Sequence, residues 1–291
     1  MNLTFVIAFV AGFVLVMYGM ISGGTSMSQV IASFIDIPSV FITFGGAFSA
    51  TIMSVPMKYL KDIPKHFKVL MKSEKSDLNQ YIDIIVELAK EARLKGLLVL
   101  EEKINNLEIQ DDFLKFCVML IVDAIEPSKV RTQIENEINC IEARHAAAWS
   151  VYDKCGSFGP AFGMLGTLIG LINMLANMDV SSGAEGIGKG MSVALVTTFY
   201  GSVLVNMICA PISNRLKAKH EEEMIVKDLI MEGVLSIQSG ENPKYIKDKL
   251  NSYITNLERQ AVNEGDGEAK PKKRGLSKGG VKSKKSQTNN A

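Results

Sequence analysis

The sequence predicts an all-α integral membrane protein, four transmembrane helices carrying a helical cytoplasmic domain. Uncharged runs are the first observation behind this. Between Met1 and Met57 the single charged residue is Asp36, and Cys155–Met178 and Gly190–Asn214 hold none. About 20 apolar residues cross the ~30 Å hydrocarbon core as a helix. Leu3–Ile21, Ile37–Val55, Cys155–Met178 and Gly190–Asn214 each meet that length. Segregation of basic residues is the second observation. Of 32 Lys and Arg, fifteen fall in Pro56–Lys154 and sixteen after Asn214, whereas Ser22–Asp36 has none and Asp179–Lys189 only Lys189. Loops poor in Lys and Arg face outward and basic ones stay in the cytoplasm. Both termini and the long middle loop are therefore expected inside.

The first two spans fill residues 1–56. The first span is longer than a signal-peptide core, lacks a basic leader and is closely followed by another span, so it is expected to be retained. Residues 57–150 read as a cytoplasmic helical domain. Asp77 suits an N-cap for a helix reaching about Asn105, with an apolar stripe of Leu78, Ile82, Ile85, Ala89, Ala92, Leu97, Leu100 and Ile104. Asp111 or Asp112 starts another through Phe113, Phe116, Cys117 and Leu120. Pro127 suits a first helical turn. From there Val130, Ile134, Ile138, Ile141, His145, Ala148 and Tyr152 recur every three or four residues and run unbroken into the third span. One long helix is expected to enter the membrane, with Trp149, Tyr152 and Lys154 at headgroup depth. Spans three and four occupy 151–214, and 215–260 reads as further cytoplasmic helices. Residues 261–291 cannot bury a core and read as a disordered basic tail, which either touches anionic lipid or solubilises the chain.

Several function classes are excluded. A formal net charge of +1 argues against nucleic acid. No GxGxxG, P-loop or HExxH occurs and the three His lack metal-ligand spacing, so neither an enzyme nor a bound cofactor is expected. Cys117, Cys140, Cys155 and Cys209 form no CxxC pair and read as reduced, packed thiols.

The third and fourth spans carry the function. Gly156, Gly159, Gly163, Gly166 and Gly170, then Asn173, are spaced 3, 4, 3, 4, 3 and form one ridge. Ala194, Thr198 and Gly201 make a comparable face on the fourth span. Small residues permit close backbone approach in lipid. Pro160 removes a backbone hydrogen bond inside the third span, and Pro211 stands at the cytoplasmic end of the fourth. Thr167, Thr197, Thr198 and Asn206 are consistent with a lined pathway, although such hydroxyls also bond their own helix backbone. Neither span has an Asp, Glu, His, Lys or Arg. Proton relays need such a group. If the chain conducts protons, the carboxylate comes from a partner helix, expected to dock against Gly159, Gly163, Gly166, Gly170, Asn173, Ala194 and Gly201.

GPAFGMLGTLIGLINMLANMD at Gly159–Asp179 and GMSVALVTTFYGSVLVNMICAPI at Gly190–Ile212 resemble the MotA/PomA flagellar stator subunits. So do FIDIPSVFITFGG at Phe34–Gly46 and EARLKGLLVLEE at Glu91–Glu102. The resemblance covers roughly residues 1–255. It implies a homopentamer in the bacterial inner membrane, ringed around a MotB/PomB-type B subunit that supplies the ion-carrying Asp. Ion flow would turn the ring and drive the rotor protein FliG. It further implies functional prolines at Pro160 and Pro211 and an acid near the outer mouth at Asp36. Sodium-coordinating hydroxyls fall at Thr167 and Thr198, with Thr197 beside them. Rotor-contacting charges fall at Arg93 and Glu101, flanked by Lys95 and Glu102. On one helix Arg93 and Glu101 would stand ~80° apart, not directly paired. Both H+ and Na+ stay open as the coupling ion. The alternatives are an ExbB/TolQ-type energiser, which typically has three spans, and a membrane scaffold that conducts nothing.

Overall fold

Helix follows helix from Leu3 to residue 252 in the computed structural model, which describes residues 3–22, 28, 33–71, 78–105, 111–176 and 183–252. The elements are α1 (Leu3–Ile21), α2 (Ile37–Ser54), α3 (Met57–Lys61), α4 (Ile63–Met71), α5 (Leu78–Lys95), α6 (Val99–Asn105), α7 (Asp112–Val122) and α8 (Pro127–Ala176). They continue as α9 (residues 183–238) and α10 (residues 243–252). The Asp77 cap, the chain beyond residue 252 and the 261–291 tail lie outside the described residues.

Among the described residues, three helices suffice by length and apolar content to cross a membrane: α2, α8 and the Ile187–Gln238 part of α9. α1 adds 19 residues without a charge. Asp36 starts α2 as its N-cap, accepting hydrogen bonds from the Ser39 amide (2.9 Å) and the Ser39 hydroxyl. Pro38 sits in that first turn, where a missing N–H costs nothing. A π-turn, Phe41–Gly45, interrupts α2, and another, Leu204–Cys209, interrupts α9.

α8 is one helix of 50 residues, as the unbroken stripe predicts. It pairs with α9 through the apolar region and on into a charged helical head. At the boundary Val55, Leu70, Val151, Tyr152, Ile212 and Leu216 form a cluster against which Trp149 packs. The Lys154 ammonium donates to the Ser54 carbonyl at 2.8 Å, satisfying a group at the end of α2.

Beyond that belt lies the helical head. Its core joins Ile82, Ile85 and Leu88 of α5, Leu100 of α6, Leu114 and Ile121 of α7, Ile134 of α8, Leu229 and Ile230 of α9 and Ile246 of α10, all fully buried. The Asp77–Asn105 stretch is not one helix. Gly96 takes φ +88° and ends α5, and α6 starts at Val99. The stripe continues across the break because both helices bury the same face: Ile85 and Ala89 before it, Leu100 and Ile104 after it. Arg93 and Glu101 therefore lie on two helices, and a single helical wheel does not relate them.

Candidate ion-pathway hairpin and rotor-facing corner

The glycine ridge of α8 is buried, and what buries it is α9 of the same chain. A Cβ at Gly170 would stand 2.7 Å from the Ala194 nitrogen and the Gly190 oxygen, and one at Gly166 2.4 Å from the Thr197 side chain. At Gly163 it would meet the Thr197 carbonyl at 3.0 Å, and at Gly159 the Gly201 carbonyl at 3.1 Å. From the other side, a Cβ on Gly201 would reach the Gly159 carbonyl at 2.6 Å. Ala194 is buried in the same seam. Gly159, Gly163, Gly166, Gly170, Ala194 and Gly201 are thus committed to an intrachain hairpin, which leaves no room on this ridge for a partner helix. The spacing signals close approach; it does not say which helix approaches. Asn173 shares the spacing but lies exposed beyond the seam.

The polar residues divide in two. Thr197 is completely buried; its hydroxyl donates back to the carbonyls of Val193 (2.9 Å) and Ala194 (3.0 Å), and its own carbonyl accepts from the Thr43 hydroxyl at 3.3 Å. Thr197 thus packs the seam and does not line a pathway. Thr198 is exposed, one residue round, with its hydroxyl donating to the Ala194 carbonyl at 3.2 Å. Thr167 donates likewise to Met164 at 2.6 Å. A hydroxyl that has given its hydrogen to its own helix keeps its lone pairs for an outside cation or donor. Gly166 touches Thr197 and Gly163 touches Thr198, which places Thr167 and Thr198 in one layer of the hairpin.

Thr198 does not stand alone. Ser202 and Asn206 follow at intervals of four, both exposed, so the three form one polar stripe on α9, away from the ridge. Ser202 was not singled out from the sequence, although its place between Thr198 and Asn206 was legible there. On α8, Met164, Leu168, Ile172 and Leu175 are exposed at intervals of four, four and three. Pro160 lies on the exposed side of α8 and denies the Gly156 carbonyl its helical donor; Pro211, just after the π-turn, likewise brings no N–H to the turn before it. Asp36 is explained by its cap.

The second region is the corner where Gly96 turns the chain. Arg93, Glu101 and Glu102 are exposed and make no side-chain hydrogen bond or ion pair with the described residues. Lys95 differs, being paired with Glu91 at 2.9 Å. Lys103 also reaches Glu91 (3.6 Å) and Glu87 (3.2 Å). The corner is anchored to the head core. Asp111 caps α7 through the amides of Phe113 (2.8 Å) and Leu114 (3.3 Å) and accepts from the Tyr81 hydroxyl at 2.9 Å. Lys227 approaches Asp111 to 3.4 Å and lies over the Phe113 ring. Burial pushes the Asp111 carboxyl up, but the Lys227 ammonium, Tyr81 and the two amides outweigh it and hold it below the usual carboxylate range. Burial pushes the Cys117 thiol up to about 12, consistent with a packing group.

Residues 105–229 match the MotA/TolQ/ExbB proton channel family, and residues 7–96 match the motility protein A N-terminal family. The chain is 36% identical to motility protein A of Borreliella burgdorferi over 267 residues, 92% of this chain and 99% of that protein. It is 34% identical to the chemotaxis protein PomA of Vibrio alginolyticus, over 89% of this chain and 98% of PomA. Among solved structures, the flagellar MotAB stator complex of Bacillus subtilis superposes with a TM-score of 0.76 at 30% identity, covering 90% of this chain and 98% of that one. MotAB of C. jejuni gives 0.75 at 26% identity, covering 87% and 96%.

Proposed function

The chain belongs to the MotA/TolQ/ExbB proton channel family as a flagellar stator subunit of the motility protein A type, and from that premise we propose how it works. Four helices, α1, α2 and the apolar parts of α8 and α9, cross the bacterial inner membrane, with both termini and the head in the cytoplasm. Copies form a homopentamer around the membrane helices of a MotB/PomB-type B subunit, and the head drives FliG through Arg93, Glu101 and Glu102. No cofactor is involved beyond the translocated H+ or Na+.

One observation carries this reading. α8 and α9 contain no Asp, Glu, His, Lys or Arg between Cys155 and Met178 or between Gly190 and Asn214, and their glycine ridge is closed by the chain itself. A carboxylate that binds and releases the ion must come from another chain. That chain meets the outward face of the hairpin, where Thr167, Thr198, Ser202 and Asn206 supply oxygen atoms and Met164 and Leu168 supply apolar contact. Pro160 and Pro211 bring no N–H to the ladders of the same helices, which gives the pair room to adjust as the ion moves. The torque domain is assigned to residues 57–150 and the C-terminal helices of the head to residues 215–260, with α1 and α2 at the periphery.

Swimming speed of cells carrying this chain and its native B subunit, measured against external sodium with a protonophore as control, tests the ion. Speed that rises with sodium and survives the protonophore assigns sodium, and Thr198→Ala then weakens the apparent sodium affinity at least tenfold. Speed indifferent to sodium and abolished by the protonophore assigns protons and leaves Thr198→Ala nearly silent. Speed that responds to neither condition rejects ion-driven motility.

A further inference from the structure

We propose that the corner between α5 and α6 engages its partner through an apolar core, Leu94 and Leu98, with Arg93, Glu101 and Glu102 as its charged rim; this rests on the rotor-facing reading and adds the part of the contact that charges do not supply. Leu94 is 80% exposed and Leu98 75%, the two most exposed large apolar side chains described in the cytoplasmic part. The bilayer does not cover them. α8 runs from Pro127 to Cys155 before its uncharged stretch starts, ~40 Å of helix at 1.5 Å per residue, and the corner is tied to that far end. The Gln238 side-chain amide donates to the Ile125 carbonyl at 2.6 Å, and Gln238 and Arg93 line the same cavity.

Their exposure follows from the backbone. The buried face of α5 is Ile82, Ile85 and Ala89, and Leu94 points off it. Gly96 at φ +88° then swings Leu98 outward while Leu97 turns to the core. Solvent-facing leucines at neighbouring positions mark interaction surfaces, and productive interfaces place apolar side chains inside a polar rim. Arg93 and the two glutamates have no partner within the described chain, so each is available to a charge of opposite sign. Between the ends of α5 and α9 a cavity of about 170 Å³ is lined by Arg93, Gly96, Leu97, Gly240 and Glu241. The buried Gln238 Oε1 beside it accepts no hydrogen bond. The occupant is therefore a rotor surface with an apolar strip between an acidic and a basic side chain, and with a donor long enough to reach Gln238.

The test uses the full-length chain with its B subunit in motile cells, reading stall torque, membrane abundance, native ring size and ion conductance. Leu94→Ser with Leu98→Ser is expected to lower torque per stator at least twofold while the other three readouts stay unchanged, and Arg93→Glu added to it lowers torque further. Unchanged torque in the leucine variant, with torque lost in Arg93→Glu, overturns the apolar core and leaves the charged contact standing. A smaller ring in the leucine variant assigns the leucines to a neighbouring copy and also overturns it. If neither Arg93→Glu with Glu101→Lys nor the leucine variant alters torque, the rotor-facing reading itself falls.

Discussion

The two halves of the α8–α9 pair are joined by opposite means. In the apolar half, Gly159, Gly163, Gly166 and Gly170 bring backbone against backbone, with Gly201 and Ala194 answering from α9. In the half within the head the same helices meet through bulk, Val130, Ile134 and Ile141 against Leu229, Ile230 and Val234. Water rewards the second arrangement, at about 25 cal/mol for each Å² of apolar surface removed from it. Lipid gives no such reward, so adhesion there depends on how closely the chains approach. Adding an atom therefore damages the first half, and removing one damages the second.

The sharpest way to break this contrast is one substitution made in both halves. Gly170→Ala would put a methyl 2.7 Å from two backbone atoms that have no rotamer to relieve the clash. We expect loss of the assembled ring and of motility, read by native sizing and swimming speed. Gly233→Ala meets only the Ile85 side chain, at 2.8 Å. Overpacking of about 1–3 kcal/mol is partly offset there by the ~1 kcal/mol helix preference of Ala over Gly. Assembly is expected to survive with a slightly lower melting temperature. Equal loss in both variants would dissolve the distinction.

A smaller effect is expected at the ion pair of the head. Lys227→Met leaves Asp111 buried with Tyr81 and two amides but no cation, at a cost of about 2 kcal/mol in unfolding. The sign with pH is determined by the carboxyl being held below its usual range near 3.8: the stabilisation is present above that value and is lost as pH falls below it. Lys227→Met should flatten that acid limb of the melting curve, because the unfolded and folded carboxyls then titrate closer together.

The smallest effect lies between the halves. His145 and His220 meet with their Nδ1 atoms 3.1 Å apart, and Trp149 packs on His220. Burial lowers the His145 pKa below 6.5; Glu223 opposes this, and His220, Arg144 and Lys227 reinforce it. A lowered imidazole pKa contributes stability that is present above 6.5 and declines as pH falls through that value toward the folded pKa. Melting temperature should drop between about pH 7.5 and 5.5, and His145→Gln should remove part of the drop.

Much of the fold was legible because membrane and water sort residues so strongly. The run Leu3–Ile21 is the helix α1, and the second run differs from α2 by Val55 alone. The stripe from Val130 to Tyr152 correctly announced a helix that does not stop at the membrane. The break at Gly96 was hidden because two helices packed on one core keep the apolar rhythm of one. At the hairpin, Gly163 and Gly166 announced close contact, but spacing on one helix has no information about which neighbour fills it. Thr197 and Thr198 look alike in sequence; a rotation of one residue puts the first in the seam and the second outside. Leu94 and Leu98 stand outside the apolar stripe read from the sequence, but the stripe alone does not show how fully they are exposed. Leu94 points off the buried face of α5, and the positive φ of Gly96 sends Leu98 outward while Leu97 meets the core.

One feature of α8 bears on how movement is passed along. Fifty residues of continuous helix make a rod of ~75 Å at 1.5 Å per residue. It has no joint where it leaves the bilayer, and Pro160, the one interior proline, lies within the uncharged stretch. A twist applied to the apolar half therefore arrives at the head with little slack, and compliance is confined to the apolar end. Such a member behaves as a drive shaft with its coupling at the engine.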